Sequence, residues 1–333
     1  MTGPEVTHRP FDPEGRTLHI KAHASLETGN QLGLMPMDVT DAPDGDMRLW
    51  SVTTIIGCLD KPALLYWAAE QTALAAVGSI GSLTVRLNEE GQEPVVKWLR
   101  DARFRRPKGR LSNASLGTCA HQACEEYALT GTRPDAGRMG EIVRTEGGAR
   151  FDGVDAEVPV LSKMLDRFDG WLSRAQPSYD AAEVVVYHPT YGYAGTADAF
   201  LTIDGVPLIA DYKTSREGYD SKGNAKTPYP EAALQLAAYR YAECAAVWRP
   251  RRIEKFRRRY YLLSDVERDQ AVPVPQVDGG IVIHITPDHC EAFSVRCDER
   301  VHEAFLFVQE ASRWVNDTSK SVIGMPLITG AKS

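Results

Sequence analysis

The stretch GTADAFLTIDGVPLIADYKTS, residues 195–215, reads as two apolar runs on either side of an Asp-Gly pair. Asp204-Gly205 between such runs is a strong hairpin signal, because a type I′ turn needs positive φ at both central positions. If these two residues form the loop, Ile203 pairs with Val206, and counting back pair by pair sets Asp198 opposite Asp211. Opposed residues share a face, with Cβ atoms roughly 4.5–5.5 Å apart. Lys213, two residues beyond Asp211, projects to that same side. Two carboxylates so close repel, and burying them unpaired costs about several kcal/mol or shifts their pKa. A divalent cation is the simplest compensation. The plainer alternative is an Asp211–Lys213 ion pair at a strand end with Asp198 on a solvated edge. A one-residue slip in register would send Asp198 to the opposite face.

Outward from the hairpin, the pattern alternates helix and strand. Residues 1 to 46 are rich in Pro, Gly, Asp and Thr and read as an extended N-terminal arm. An ordered body is expected over 47–316, with a helical part at 47–175 and an α/β core at 176–316, followed by a tail at 317–333. Helices are expected at 59–77, with Pro62 in the first turn, at 95–104, and from Asn113 or Ser115 as cap to a stop at Gly131. Another is expected at 158–175. Residues 135–155 read as a charged, Gly-rich connection. Strands are expected at 181–189, 193–203 and 206–214, a helix at 228–248, strands near 258–264, 280–286 and 292–297, and a closing helix at 298–317. That order predicts one α/β domain, a central mixed sheet flanked by helices with an N-terminal helical region.

A chain of 333 residues, 43% of them hydrophobic and 25% charged, can bury a sizeable core. It has no run of 18 apolar residues and no signal-peptide layout at its start, so no membrane association and a cytoplasmic location are expected. The six cysteines are scattered without a CxxC pair. Reduced thiols are expected rather than a disulfide framework, a zinc ribbon or an iron–sulfur cluster. Net charge is −7, yet residues 100–110 hold six basic residues and residues 249–259 hold seven, together 13 of the chain's 38. Such runs are often solvated faces. Two of them interleaved with Phe104 and Phe256 make Arg103, Arg105, Arg106, Lys108, Arg110, Arg251, Arg252, Arg257 and Arg258 candidates for tracking a phosphate backbone.

Gly195-Thr196-Ala197-Asp198, Asp211-Tyr212-Lys213-Thr214 and Gln235-Leu236-Ala237-Ala238-Tyr239 together resemble the G-x-x-D, D-x-K-T and Q-x-x-x-Y series of RecB-type nucleases in the PD-(D/E)XK superfamily. Residues 117–126, GTCAHQACEE, are similar to the G-T-x-x-H-x-x-x-E motif that precedes that series. The segment SVTTIIGCLDKPALLYWAAEQTA resembles the leading part of RecB-like exonucleases encoded by bacteriophages. Each motif is weak alone; four in the right order over about 120 residues are specific.

The resemblance implies a restriction-endonuclease-like core and metal-dependent hydrolysis of DNA phosphodiesters. It casts Asp198, Asp211 and His121 as metal ligands, with the Tyr212 backbone carbonyl completing the site. Lys213 would position or deprotonate the attacking water, and Gln235 and Tyr239, on one helix face, would orient the lysine or contact DNA. Glu125, Glu183 and Thr214 are secondary candidates. Oxygen ligands suit one or two Mg²⁺ ions, and the imidazole inclines the site somewhat toward Mn²⁺. The expected activity is an exonuclease acting on duplex ends or single strands in recombination, replication or repair, in a bacterial cell or from a phage, beside a single-strand annealing recombinase. The alternatives are a structure-selective or restriction-type endonuclease and a DNA-binding module without catalysis. No GxxxxGK[ST] loop is present, so ATP-driven unwinding would belong to another chain.

Overall fold

A computed structural model describes residues 47–104, 109–220, 222–246, 251–255, 258–263 and 268–323. The chain order is β1 (Met47–Ser51), α1 (Val52–Ile56), α2 (Pro62–Gly78), α3 (Ile80–Glu90), α4 (Gln92–Arg100), α5 (Asn113–Thr130), α6 (Ala136–Gly147) and α7 (Val154–Ala175). Then come β2 (Ser178–His188), β3 (Tyr193–Ile203), β4 (Val206–Thr214), α8 (Glu231–Arg240), β5 (Cys244–Ala245), β6 (Arg251–Lys255) and β7 (Arg258–Leu263). The last elements are β8 (Val272–Pro273), β9 (Gly279–Ile285), β10 (Cys290–Val295) and α9 (Glu299–Asn316).

Among the described residues, ten strands form one mixed sheet. Its main path runs β10-β9-β4-β3-β1-β7-β6, with β2 on β3, β5 on β2 and β8 on β5. The pairs β4–β9 and β1–β3 are parallel and the others antiparallel. Alternate residues of β4 join different cores. Ile209 packs with α1, α8 and α9, whereas Ala210 and Tyr212 pack with α5, α6 and α7. A strand covered on both faces must be apolar nearly throughout, which is why VPLIADYKT reads as a continuous oily run. This is the mixed sheet with flanking helices and N-terminal helical region that the sequence predicts. Among the described residues no helix is long and apolar enough to cross a membrane.

Local chemistry explains most element ends. The Ser112 hydroxyl caps α5 by accepting the Ser115 N–H at 3.0 Å, one residue before the expected Asn113, and Gly131 closes the helix at φ 66°. Asp204 and Gly205 adopt φ 51° and 80°, the conformation a type I′ turn requires.

Three expectations need correction. Residues 135–155 contain α6, started by Asp135 accepting the Arg138 N–H at 2.7 Å and held through buried Met139, Ile142 and Val143. Residues 80–90 form α3, which the sequence reading left without an element. The helix expected to reach 248 stops at Arg240, because Cys244 and Ala245 are recruited into a ladder opposite Tyr187 and Val186. All six cysteines are free thiols, and burial raises the thiol pKa of each.

Candidate active site

The β3–β4 ladder runs without a bulge from Ile203–Val206 to Ala199–Ala210, in the register counted from the Asp-Gly turn. It ends there. Farther along the same edge, β3 pairs with β1 at Tyr193 and Ala194. Residues 195–198 therefore lie where the edge of β3 passes from one neighbour to the other, and the sheet forks. Asp198 fills part of the gap: its Oδ2 accepts the Tyr212 N–H at 2.7 Å, so a side chain takes up a backbone donor that the ladder leaves free.

Asp211 is buried to 1% exposure beside this fork. The Gln235 amide clamps it from α8, donating through Nε2 to Asp211 Oδ1 at 2.7 Å while its Oε1 accepts from Lys213 Nζ at 3.1 Å. The same Nε2 reaches the Tyr239 hydroxyl at 3.2 Å. Lys213 Nζ also stands 2.6 Å from Asp211 Oδ2, a close ion pair with that buried oxygen. Loss of solvent pushes the Asp211 carboxyl up to about 6; Lys213 opposes the rise and the charge on Asp198 adds to it. Burial works against the Lys213 ammonium, yet the Asp211 and Asp198 carboxylates outweigh it and hold its pKa above the ordinary value. At neutral pH Lys213 is a cation.

His121 enters from α5, with Nδ1 3.7 Å from Asp198 Oδ2 and its ring edge-on to Tyr212 at 5.8 Å. At that separation the contact is electrostatic rather than a hydrogen bond. A groove of about 680 Å³ runs along α5 past His121, Gln122, Glu125 and Glu183 to Tyr212, Lys213 and Thr214. Two glycines let the walls meet. A Cβ on Gly117 would stand 2.7 Å from Thr214 Oγ1, and one on Gly195 would stand 2.3 Å from the Tyr239 ring. The glycines of the two motifs thus make room for helix against strand.

The sequence matches the PD-(D/E)XK nuclease superfamily over residues 96–318, more than half of its length and the whole of this site. The chain belongs to the PD-(D/E)XK nuclease superfamily. A search of the curated proteins found no match. Among solved structures, the crystal structure of SSO0001 aligns with 64% of this chain and 80% of its own at 13% identity and a TM-score of 0.26, which carries no argument. Membership makes this chain a nuclease acting on DNA, in a superfamily that generally uses divalent metal ions.

The residues of this PD-(D/E)XK site suit such an ion in kind. Asp211 is a buried carboxylate, and Asp198 adds a second carboxylate across the fork. Hard divalent cations prefer oxygen ligands of this sort and retain waters. Among the described residues, however, no three His, Cys, Asp or Glu side chains form a ready metal cage. The remaining ligands must come from water, backbone or substrate.

The structure brings together Asp198, Asp211, Lys213, Gln235, Tyr239 and His121, with Tyr212 and Thr214 beside them and Glu125 and Glu183 on the groove wall. Arg110 donates to the Ala156 carbonyl at 3.2 Å and lies 3.7 Å from the buried Glu157 carboxylate. Arg105, Arg106, Lys108 and Arg257 lie outside the described residues. Arg103 lies in a 3-10 turn, Asp101–Phe104, while Arg251 and Arg252 lie in β6 and Arg258 in β7.

The sequence reading missed a buried bolt behind the site. Arg216, three residues past Lys213, pairs with Glu157 Oε2 at 3.0 Å and donates to the Leu111 carbonyl at 3.0 Å, and Glu157 Oε1 accepts the Leu111 N–H at 3.1 Å. These contacts tie the end of β4 to the starts of α5 and α7. Glu157 has no signal in sequence, since an acid in the first turn of a helix is usually a solvated one. The spacing of Asn113, Gly117, His121 and Glu125, four residues apart throughout, was a usable signal for the α5 face that lines the groove.

Proposed function

We propose that this nuclease is a RecB-type, Mg²⁺-dependent DNA exonuclease that processes DNA ends for recombination, replication or repair. The observation that carries the reading is the Gln235 clamp, which joins Asp211 and Lys213 directly to the Q-x-x-x-Y helix beside Asp198 and His121. Supporting it are the four motifs in the order typical of that group and the leading segment at 51–73, similar to phage RecB-like exonucleases. A phage or bacterial setting, a single-strand annealing recombinase as companion, and a single nuclease domain over 47–316 between an arm and a tail belong to the same reading.

Asp198, Asp211, the Tyr212 carbonyl and His121 would hold the cation, which when bound lowers the pKa of the attacking water and neutralises charge at the phosphate. Lys213, kept protonated by its acidic neighbours, donates to the attacking water and the phosphate oxygen rather than removing a proton. Gln235 holds Lys213 and Asp211 in fixed relation, and Tyr239 braces Gln235 from below. Thr214, on the groove wall, would donate to a phosphate oxygen.

The test is digestion of end-labelled linear duplex, single-stranded and covalently closed circular DNA with Mg²⁺, Mn²⁺ or EDTA, with Asp211→Ala as control. Release of nucleotides from labelled ends, absence of cutting on closed circles, and loss of activity in EDTA and in Asp211→Ala are expected. Equal cutting of closed circles would replace this reading with an endonuclease on the same fold. Full activity of Asp211→Ala would remove the site assignment altogether.

A further inference from the structure

Helix α2 is apolar around most of its circumference, with Glu70 its one charged residue, yet no described side chain from 65 to 90, the run of α2 and α3, is buried. A helix of that composition normally lies inside a core or an interface, because helices in proteins are stabilised chiefly by burying an apolar face. Leu65, Tyr66, Leu74, Val77 and Ile80 are each 58–78% exposed, and Ala69 and Ala73 between them are exposed as well. Together these side chains leave on the order of 700 Å² of surface open, above the roughly 300–600 Å² of the largest apolar patch on a typical monomer. It is close to the roughly 800 Å² that each partner contributes to a stable dimer.

We propose that this face is covered by the same face of a second copy of the chain, with the two α2 helices antiparallel across a twofold axis. Charge argues against a phosphate backbone or an anionic membrane as the occupant, since either needs basic residues to meet it. α2 has no Lys or Arg, and the one basic residue of α3, Arg86, is paired with Glu90 at 3.3 Å and lies over the Trp98 ring. The order of side-chain sizes favours self-association. Leu65, Ala69, Ala73 and Val77, at successive i, i+4 positions, form one ridge with large ends and a small middle. That ridge reads the same in both directions. About a twofold axis Leu65 of one copy therefore meets Val77 of the other, and Ala69 meets Ala73, which is the self-complementarity that an isologous interface requires. The alanines let the two backbones approach, and Tyr66 and Leu74 flank the contact. None of the residues lining the active-site groove lies on α2 or α3, so the pairing leaves its walls free.

Sedimentation equilibrium of the full chain, in EDTA and without DNA, tests the proposal. The wild type is expected to have twice the mass of one chain at micromolar concentration. Ala73→Glu and Val77→Glu each set a carboxylate in the ridge and are expected to raise the dimer Kd about a hundredfold or more. Phe307→Glu, at an exposed apolar residue of α9, is expected to leave the Kd within about threefold. Under a mild oxidant, Leu65→Cys protein mixed with Val77→Cys protein is expected to form disulfide-linked pairs between the two kinds faster than either forms with itself. A wild type that is monomeric at about 100 µM, a dimer that both charged variants leave intact, or preferential linkage of like with like would overturn the proposal. So would unfolding of both charged variants, which would mean that the face is covered within one chain. A monomeric wild type that sediments with neutral phospholipid vesicles would give the face to a membrane instead.

Discussion

Replacing Asp211 by Asn is expected to abolish cleavage and stabilise the metal-free protein. The carboxyl is buried to 1% exposure, and its pKa in the fold is raised from 3.8 to about 6. The unfolded chain releases this proton first as pH rises. Stability contributed by the neutral acid is therefore complete below pH 3.8, declines from there to about 6, and is absent above. At 1.36 kcal/mol per pH unit, the ionised group at neutral pH costs about 3 kcal/mol relative to a neutral one. Asn keeps the shape and can still accept from Gln235 Nε2, though Lys213 loses its close partner, so the net gain is expected at about 2 kcal/mol. Urea unfolding of both proteins in EDTA between pH 3.5 and 8 measures it. The stability difference should be near zero at the acid end, grow across pH 4 to 6 and level off, and excess Mg²⁺ should reverse its sign by binding only the wild type. A pH-independent difference, or a mutant less stable at pH 8 in EDTA, would refute the reasoning that burial of this carboxylate is tolerated for function.

Gly195→Ala places a Cβ where the Tyr239 ring already lies, 2.3 Å away, and is expected to cost about 1–3 kcal/mol and disturb the Gln235 clamp; chemical denaturation and nuclease rate should fall together, and Tyr239→Leu in the same chain should recover stability but not rate. Glu157→Ala leaves the half-buried Arg216 without its carboxylate and the Leu111 N–H without its acceptor and is expected to destabilise by about 1–3 kcal/mol, read as a fall in the urea midpoint. His302 donates through Nε2 to Tyr193, whose own proton goes to the Ala238 carbonyl, and burial with the neighbouring His188 lowers its pKa from 6.5 to about 4. The stability it contributes is present above pH 6.5 and lost as pH falls toward 4, by up to about 3 kcal/mol, so His302→Gln should flatten the pH dependence of stability in that window.

Much of the site was legible because it is local. The Asp-Gly turn admits one register, which holds pair by pair from Ile203–Val206 to Ala199–Ala210 and stops one pair short of the expected Asp198–Asp211. The spacing from Gln235 to Tyr239 sets both on one helix face for the same reason. What local pattern could not supply was the fork. Asp198 meets the Tyr212 N–H only because β1, some 145 residues earlier in the chain, takes over the edge of β3 where β4 leaves it. The Glu157–Arg216 bolt was equally hidden, since a charge looks solvated in sequence until three distant segments enclose it. The helix that stops at Arg240 yielded to pairing with β2, a competition that propensity does not contain. By itself, then, the sequence determined the hairpin register, the helix faces and the identity of the charged residues, all set by neighbours within a few positions. Only the tertiary structure decided how deeply Asp211 is buried, which partner holds each charge and where the groove opens, because burial and electrostatic environment arise from atoms far apart along the chain.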